Sequence, residues 1–176
     1  AAVEAVRCLQ PVSVSIRMGA SEIGINRRNL DDTGQMALRP NPGGYVNTDL
    51  HIIDLVGVER DTRCLLYSHG CHPVLVYGFA YQAISADWVG ACRTYLGERL
   101  GKDAHCQFIQ GLAGNVRPRA VADLGRGTFR KATPNLVEST GAALGDDILC
   151  LLAEPVEAIS VELRAASRAV LRDYAQ

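Results

Sequence analysis

Arg63-Cys64-Leu65-Leu66-Tyr67-Ser68, followed by His69-Gly70-Cys71-His72-Pro73, is the stretch whose reading decides the fold. Residues 63–68 form an apolar, strand-like run, and Pro73 fixes the backbone of the loop that leaves it. Ile84-Ser85-Ala86-Asp87-Trp88 then opens a helix, with Trp88, Ala91, Cys92, Tyr95, Leu96 and Leu100 at helical spacing. His105–Gln110 returns as a short strand. A strand, a histidine-bearing loop, a helix and a second strand imply an α/β fold, with a mixed sheet, flanking helices and long functional loops.

Working outward, Val12–Met18 alternates apolar with polar residues, and Leu50–Val58 joins Arg63–Ser68 through the polar turn Glu59-Arg60-Asp61. The strands 12–18, 50–58, 63–68 and 105–110 should share one sheet, because their apolar content requires burial. Residues 157–163 alternate as a further strand. Residues 2–10 read as a helix stopped by Pro11, and Thr133-Pro134 caps a second that runs to Glu154. Segments 21–48, rich in Asn, Asp, Gly and Pro, and 113–131, rich in Gly and Arg, read as long loops of the kind that usually carry function.

At 176 residues, 48% of them apolar and 21% charged, the chain fits one domain (1–176) with a core of its own. Its apolar runs fall short of a bilayer span, and a net charge of −1 argues against nucleic acid as the main partner. The six cysteines are scattered without a C-x-x-C pair and read as buried free thiols, which leans toward a cytoplasmic setting. The chain opens with Ala1-Ala2-Val3 inside a helical pattern and shows no terminating signal over 167–176, so it reads as a truncated part of a larger domain.

In α/β proteins, ligands bind where loops leave the carboxyl ends of strands. His72 lies on such a loop and suits a metal ligand, against the alternative of a hydrogen-bonded turn histidine; His69 is a second polar group nearby. Asp87 is either the N-cap of its helix or a carboxylate holding His72 or His69 in one tautomer, and the two roles are compatible. Asn115, Arg117 and Arg119 follow strand 105–110 in a Gly-rich loop suited to a carboxylate, phosphate or developing oxyanion, unless the loop is merely solvated. Arg27 and Arg28 read as a surface pair in the first loop, and His51 and His105 as strand-associated bystanders. No nucleophile elbow, dinucleotide fingerprint, phosphate loop or H-E-x-x-H motif is present, and Ser68 and Ser85 have no evident partners for serine-hydrolase chemistry.

Taken in order, Gly24-Ile25-Asn26-Arg27, Ser68–Pro73, Ile84-Ser85-Ala86-Asp87 and Gly114–Arg119 resemble the neutral (non-lysosomal) ceramidase family. More closely, they resemble bacterial proteins of uncertain substrate that share that family's N-terminal catalytic domain. The resemblance covers residues 12–155 and implies a zinc-dependent amidase that cleaves an N-acyl bond, with zinc held by two histidines, a glutamate and a tyrosine. It places His72 on the later zinc histidine of a His-Gly-Thr block, and Ser85-Ala86-Asp87 on Ser-Gly-Asp. Ile25-Asn26-Arg27 falls on an Ile-Asn-Arg whose arginine faces the reacting amide or product carboxylate. The family's Gly-Asp-Val-Ser-Pro-Asn falls on Gly114-Asn115-Val116-Arg117-Pro118-Arg119, so Arg117 stands where the family has a catalytically important serine.

The resemblance therefore implies a hydrolase with zinc as cofactor and a small-molecule or lipid-like substrate other than ceramide. His72 is the expected metal ligand, Asp87 stands behind it, Arg27 and Asn115 belong to the catalytic group, and Arg117 and Arg119 recognise an anionic or polyol part of the substrate. The three remaining zinc ligands are expected outside the 176 residues. The competing expectation is a non-catalytic domain of the same fold that binds an anionic small molecule or sugar.

Overall fold

The computed structural model describes residues 2–101, 103–156, 159 and 166–167. In chain order its elements are α1 (Ala2–Arg7), β1 (Val12–Ala20), β2 (Gly24–Leu30), β3 (Met36–Asn41), β4 (Asp49–Gly57), β5 (Arg63–His69), α2 (Asp87–Leu100), β6 (Ala104–Gln110), β7 (Val116–Pro118), β8 (Ala122–Asp123), β9 (Thr128–Phe129) and α3 (Pro134–Ala153). The fold is mixed α/β. Its main sheet has the order β1-β4-β5-β6, and these are the four strands expected to lie together. β1, β4 and β5 pair antiparallel, whereas β5 and β6 are parallel and joined by the α2 crossover.

One face of this sheet is buried by α2 and α3. Leu50 and Ile52 of β4, Leu65 and Tyr67 of β5 and Cys106 of β6 meet Trp88, Cys92 and Leu96 of α2 and Leu144 and Ile148 of α3. The strict alternation along β4, with Leu50, Ile52 and Asp54 inward, is the period-2 signature of a strand with one covered face. Asp54, 3% exposed, is the charged member of this layer. Arg63 grips it with Nε and one terminal nitrogen at 2.8 and 2.7 Å, and Arg17 stands at 3.6 Å. The two helices approach closely at Gly141, where an added Cβ would lie 2.5 Å from the Cys92 amide nitrogen. The opposite face brings Ile16, Ile53 and Leu66 side by side and leaves His51 and His105 exposed.

Two expected loops are folded. Residues 21–48 contain the β2–β3 pair, and residues 113–131 contain β7 and the small β8–β9 ladder. β7 pairs with β2, making a three-stranded sheet ordered β3-β2-β7. Arg27 is thus a strand residue. The segment Asn26-Arg27-Arg28-Asn29 lacks an apolar period, and its extended conformation comes from ladder pairing with β3 nearby and, at its start, with the distant β7. Helix α1 ends at Arg7, short of the expected residue 10. The alternating stretch 157–163 lies outside the described residues, apart from the Ile159 amide, which donates to the Val14 carbonyl at 2.9 Å. All six cysteines are free, as expected, but only Cys71, Cys92 and Cys106 are buried: Cys64 is half-buried and Cys8 and Cys150 are exposed, which corrects the expectation of burial. Among the described residues, no helix is long and apolar enough to cross a membrane.

Candidate functional site

The β5–α2 connection carries the site. Gln110, at the end of β6, donates from its side-chain amide to the carbonyls of Cys71 and His69 at 3.2 and 3.4 Å, tying the loop to the neighbouring parallel strand. Trp88 lies wholly buried beneath it, with Nε1 3.4 Å from the His72 carbonyl and its ring 5.4 Å from that of Phe108 in an edge-on arrangement. The loop backbone is held from below, and the His72 side chain is left exposed.

Asp87 begins α2 at a φ of 53°, in the left-handed region that costs an ordinary L-residue roughly 1–2 kcal/mol. Three hydrogen bonds hold it there. Its carboxylate accepts from the amides of Val76 at 2.7 Å and Trp88 at 2.8 Å, while its own amide donates to Ser85 Oγ at 3.0 Å. Neither carboxylate oxygen bonds a histidine, which corrects the expectation that Asp87 sets a tautomer by direct contact. Asp87 is also not the N-cap: that position is Ala86, Asp87 is the first residue of α2, and its carboxylate instead ties the Val76 turn to the helix.

The two loop histidines have opposite surroundings. His69 is 1% exposed, its Nδ1 is 3.1 Å from the Asp49 carbonyl, and its Nε2 has no partner among the described residues. Burial lowers its pKa, partly opposed by the hydrogen bond to the Asp49 carbonyl and by the Asp147 and Asp49 charges. Since that carbonyl only accepts, Nδ1 carries the proton and the ring is neutral. This has a consequence for stability. The folded pKa lies below the unfolded value near 6.5, so below that pH the unfolded chain takes up a proton that the native chain refuses, and stability falls as pH falls. The urea midpoint should drop between pH 7.5 and 5.5, as the unfolding free energy falls by up to about 1.4 kcal/mol per pH unit for this one group. His69→Gln should flatten the dependence; an unaltered slope in that variant would assign the effect elsewhere.

His72 is also held below the ordinary histidine range, first by partial loss of hydration and then by the positive charges of Arg27 and Arg117, with Asp87 opposing. An imidazole kept neutral beside two cations retains a lone pair for a metal at neutral pH. Arg27 is pinned: its Nε and one terminal nitrogen donate to the Gly114 carbonyl at 3.3 and 3.1 Å, and its amide donates to the Asn115 carbonyl at 2.8 Å. Arg117 sits on β7 opposite Ile25 of β2, with its guanidinium carbon 4.9 Å from the centre of the Phe129 ring. Burial and then the Arg27 charge lower its pKa, so each cation is unfavourable to the other.

The structure therefore brings His72, Asp87, Arg27 and Arg117 together, with Asn115 against the Arg27 backbone. The Asn115 side chain faces elsewhere: its amide donates to the Tyr45 carbonyl at 2.9 Å, which the buried Asn26 amide also reaches at 2.8 Å. The two amides clamp the 42–48 segment over β2. Arg119 is not part of this group. It lines a separate cavity of about 490 Å³ with Ala20, Glu22, Ile23, Thr140 and Asp147, and its Nε donates to the Glu22 carbonyl at 3.2 Å. Phe129, Gln110 and Trp88 join the site without a motif of their own; Phe129 has no sequence signal at all, whereas Trp88 follows Asp87 directly.

As a metal site, the donor set supplies one corner. His72 is exposed, neutral and placed on a loop at a strand end, but no cluster of three or more His, Cys, Asp or Glu among the described residues could hold an ion. No known family's sequence profile and no curated protein matches the chain. Among solved structures, neutral ceramidase from Pseudomonas aeruginosa is similar over 87% of this chain, with a TM-score of 0.63 and 16% identity. A structure titled ceramidase complexed with C2 is similar over 86%, with a TM-score of 0.63 and 17% identity. The chain spans about a quarter of each, and at that identity the likeness is one of fold. The chain thus has a mixed α/β fold similar to that of the part of neutral ceramidase it matches.

Proposed function

We propose that this chain is part of a zinc-dependent hydrolase that cleaves an N-acyl amide or a related bond, with a substrate other than ceramide. The observation that carries the reading is the exposed, neutral His72 on the β5–α2 loop, flanked by the cations of Arg27 and Arg117. The ceramidase-like fold supports it.

His72 would hold the zinc through one ring nitrogen, and the remaining ligands would be supplied from outside the described residues. When bound, the metal supplies Lewis-acid polarisation of a carbonyl and acidification of a water. Arg27, its guanidinium aimed by the Gly114 carbonyl, would bind an oxyanion or a carboxylate at the site. Asp87 holds the turn and helix that frame the loop, and Trp88 fixes the loop's floor. Asn115 positions Arg27 through its backbone carbonyl.

Metal content is the direct test. A catalytic site of three protein ligands and an open position retains zinc tightly, so the full-length protein should carry about one zinc per chain by mass spectrometry. A full-length protein that folds and binds no zinc would leave the other expectation standing, a domain of this fold that only binds an anionic small molecule or sugar.

A further inference from the structure

Arg27 and Arg117 sit on different strands of the three-stranded sheet. Ile25 of β2 lies directly opposite Arg117 of β7, and Arg27 lies two residues beyond Ile25. Residues two apart on a strand share a face, as do direct cross-strand partners, so Arg27 and Arg117 emerge on one face as diagonal neighbours. Diagonal neighbours in an antiparallel pair stand ~7–8 Å apart along the backbone, close enough for two long arginine side chains to reach one anionic group.

Neither side chain behaves like a solvated surface arginine. Arg117 is half-buried, its guanidinium rests over Phe129, and its Nε is buried without a partner among the described residues. Arg27 is oriented by the Gly114 carbonyl, which is neutral and cancels no charge. Neither guanidinium meets a carboxylate among the described residues. Asp87 is the acid that acts on His72, and both its oxygens are engaged by backbone amides. Two partly desolvated cations held beside each other without a counter-charge are a standing cost, removed when an anion binds between them.

We infer that the face shared by Arg27 and Arg117, beside His72, receives a carboxylate or phosphate group carried by the substrate, so the molecule cleaved is anionic close to the reacting bond. The assignment to a substrate rests on the hydrolase reading; the anion site itself needs only the two arginines. It gives the arginine at position 117 a role in selectivity, since a guanidinium there favours a charged substrate over a neutral lipid amide.

The test uses the full-length protein, with inorganic phosphate and acetate as probes in isothermal titration calorimetry. The wild type should bind one of the two, and the preferred probe identifies phosphate or carboxylate as the group recognised. Arg117→Gln and Arg27→Gln should each weaken that binding tenfold or more, on the order expected for losing a charged hydrogen-bond partner. Arg117→Lys keeps the charge without the planar fork and should fall between, which separates loss of the site from misfolding. Arg126→Gln, exposed and already paired with Asp123, should leave it unchanged. His72→Ala should lose zinc yet keep the anion. Wild-type protein that binds neither probe, or an Arg117→Gln variant that binds as the wild type does, would overturn the inference whatever the zinc content. Zinc retained by His72→Ala would instead overturn the metal reading and leave the anion site intact.

Discussion

His72→Ala in the full-length protein should cost about three orders of magnitude in turnover of an N-acyl amide and remove the bound zinc. Lewis-acid stabilisation by a catalytic metal is worth several kcal/mol, and each 1.36 kcal/mol is tenfold in rate. The fold should survive with a stability change within about 0.5 kcal/mol, because the side chain is exposed and outside the core. The combination is diagnostic: a turn histidine with a structural role would change stability and spare the metal. Zinc by mass spectrometry, turnover and a urea melt on one preparation settle which of the two His72 is. Unchanged zinc and turnover would return it to the role of a turn residue.

Trp88→Ala should destabilise the protein by about 3–5 kcal/mol, the range for removing a large aromatic side chain from a packed core. Trp88 is wholly buried between the sheet and the site loop, against Phe108 and the helix partners of α2. Trp88→Phe keeps most of that volume and loses the long hydrogen bond to the His72 carbonyl, so it should cost no more than about 1.5 kcal/mol. Comparing their effects on zinc affinity separates the floor of the loop from the core. If the ring only fills space, Phe restores zinc affinity along with stability. If the indole N–H positions the loop, Phe restores stability and leaves zinc affinity impaired. Equal urea midpoints for wild type and Trp88→Ala would contradict the packing described.

The main sheet was legible because its signal is local. Leu50 and Ile52 alternate with exposed neighbours, Leu65 and Tyr67 sit in an apolar run with half-buried ones, and the four strands expected to share a sheet are the four that pair. The helix after Asp87 follows from the spacing of Trp88, Cys92 and Leu96, all of which are buried. The second sheet was not legible. β2 and β3 carry Asn, Arg and Pro where strands usually carry β-branched residues, and they are short and half-exposed. Among the described residues β3 pairs only with β2, and β2 depends on partners in β7, some ninety positions away, and on the Asn26 and Asn115 amides that clamp the Tyr45 carbonyl.

The site divides along the same line. Sequence by itself determined that a histidine-bearing loop sits between a strand and a helix, and that Asp87 begins that helix, because these are relations between neighbours in the chain. Only the tertiary structure decided that His69 is buried while His72 reaches solvent, that Arg119 faces a different cavity, and that Arg27 and Arg117 share one face beside His72. Which side a residue takes is set by the register of a strand against a distant partner. A shift of one residue in that register would exchange the two faces without changing a single local preference.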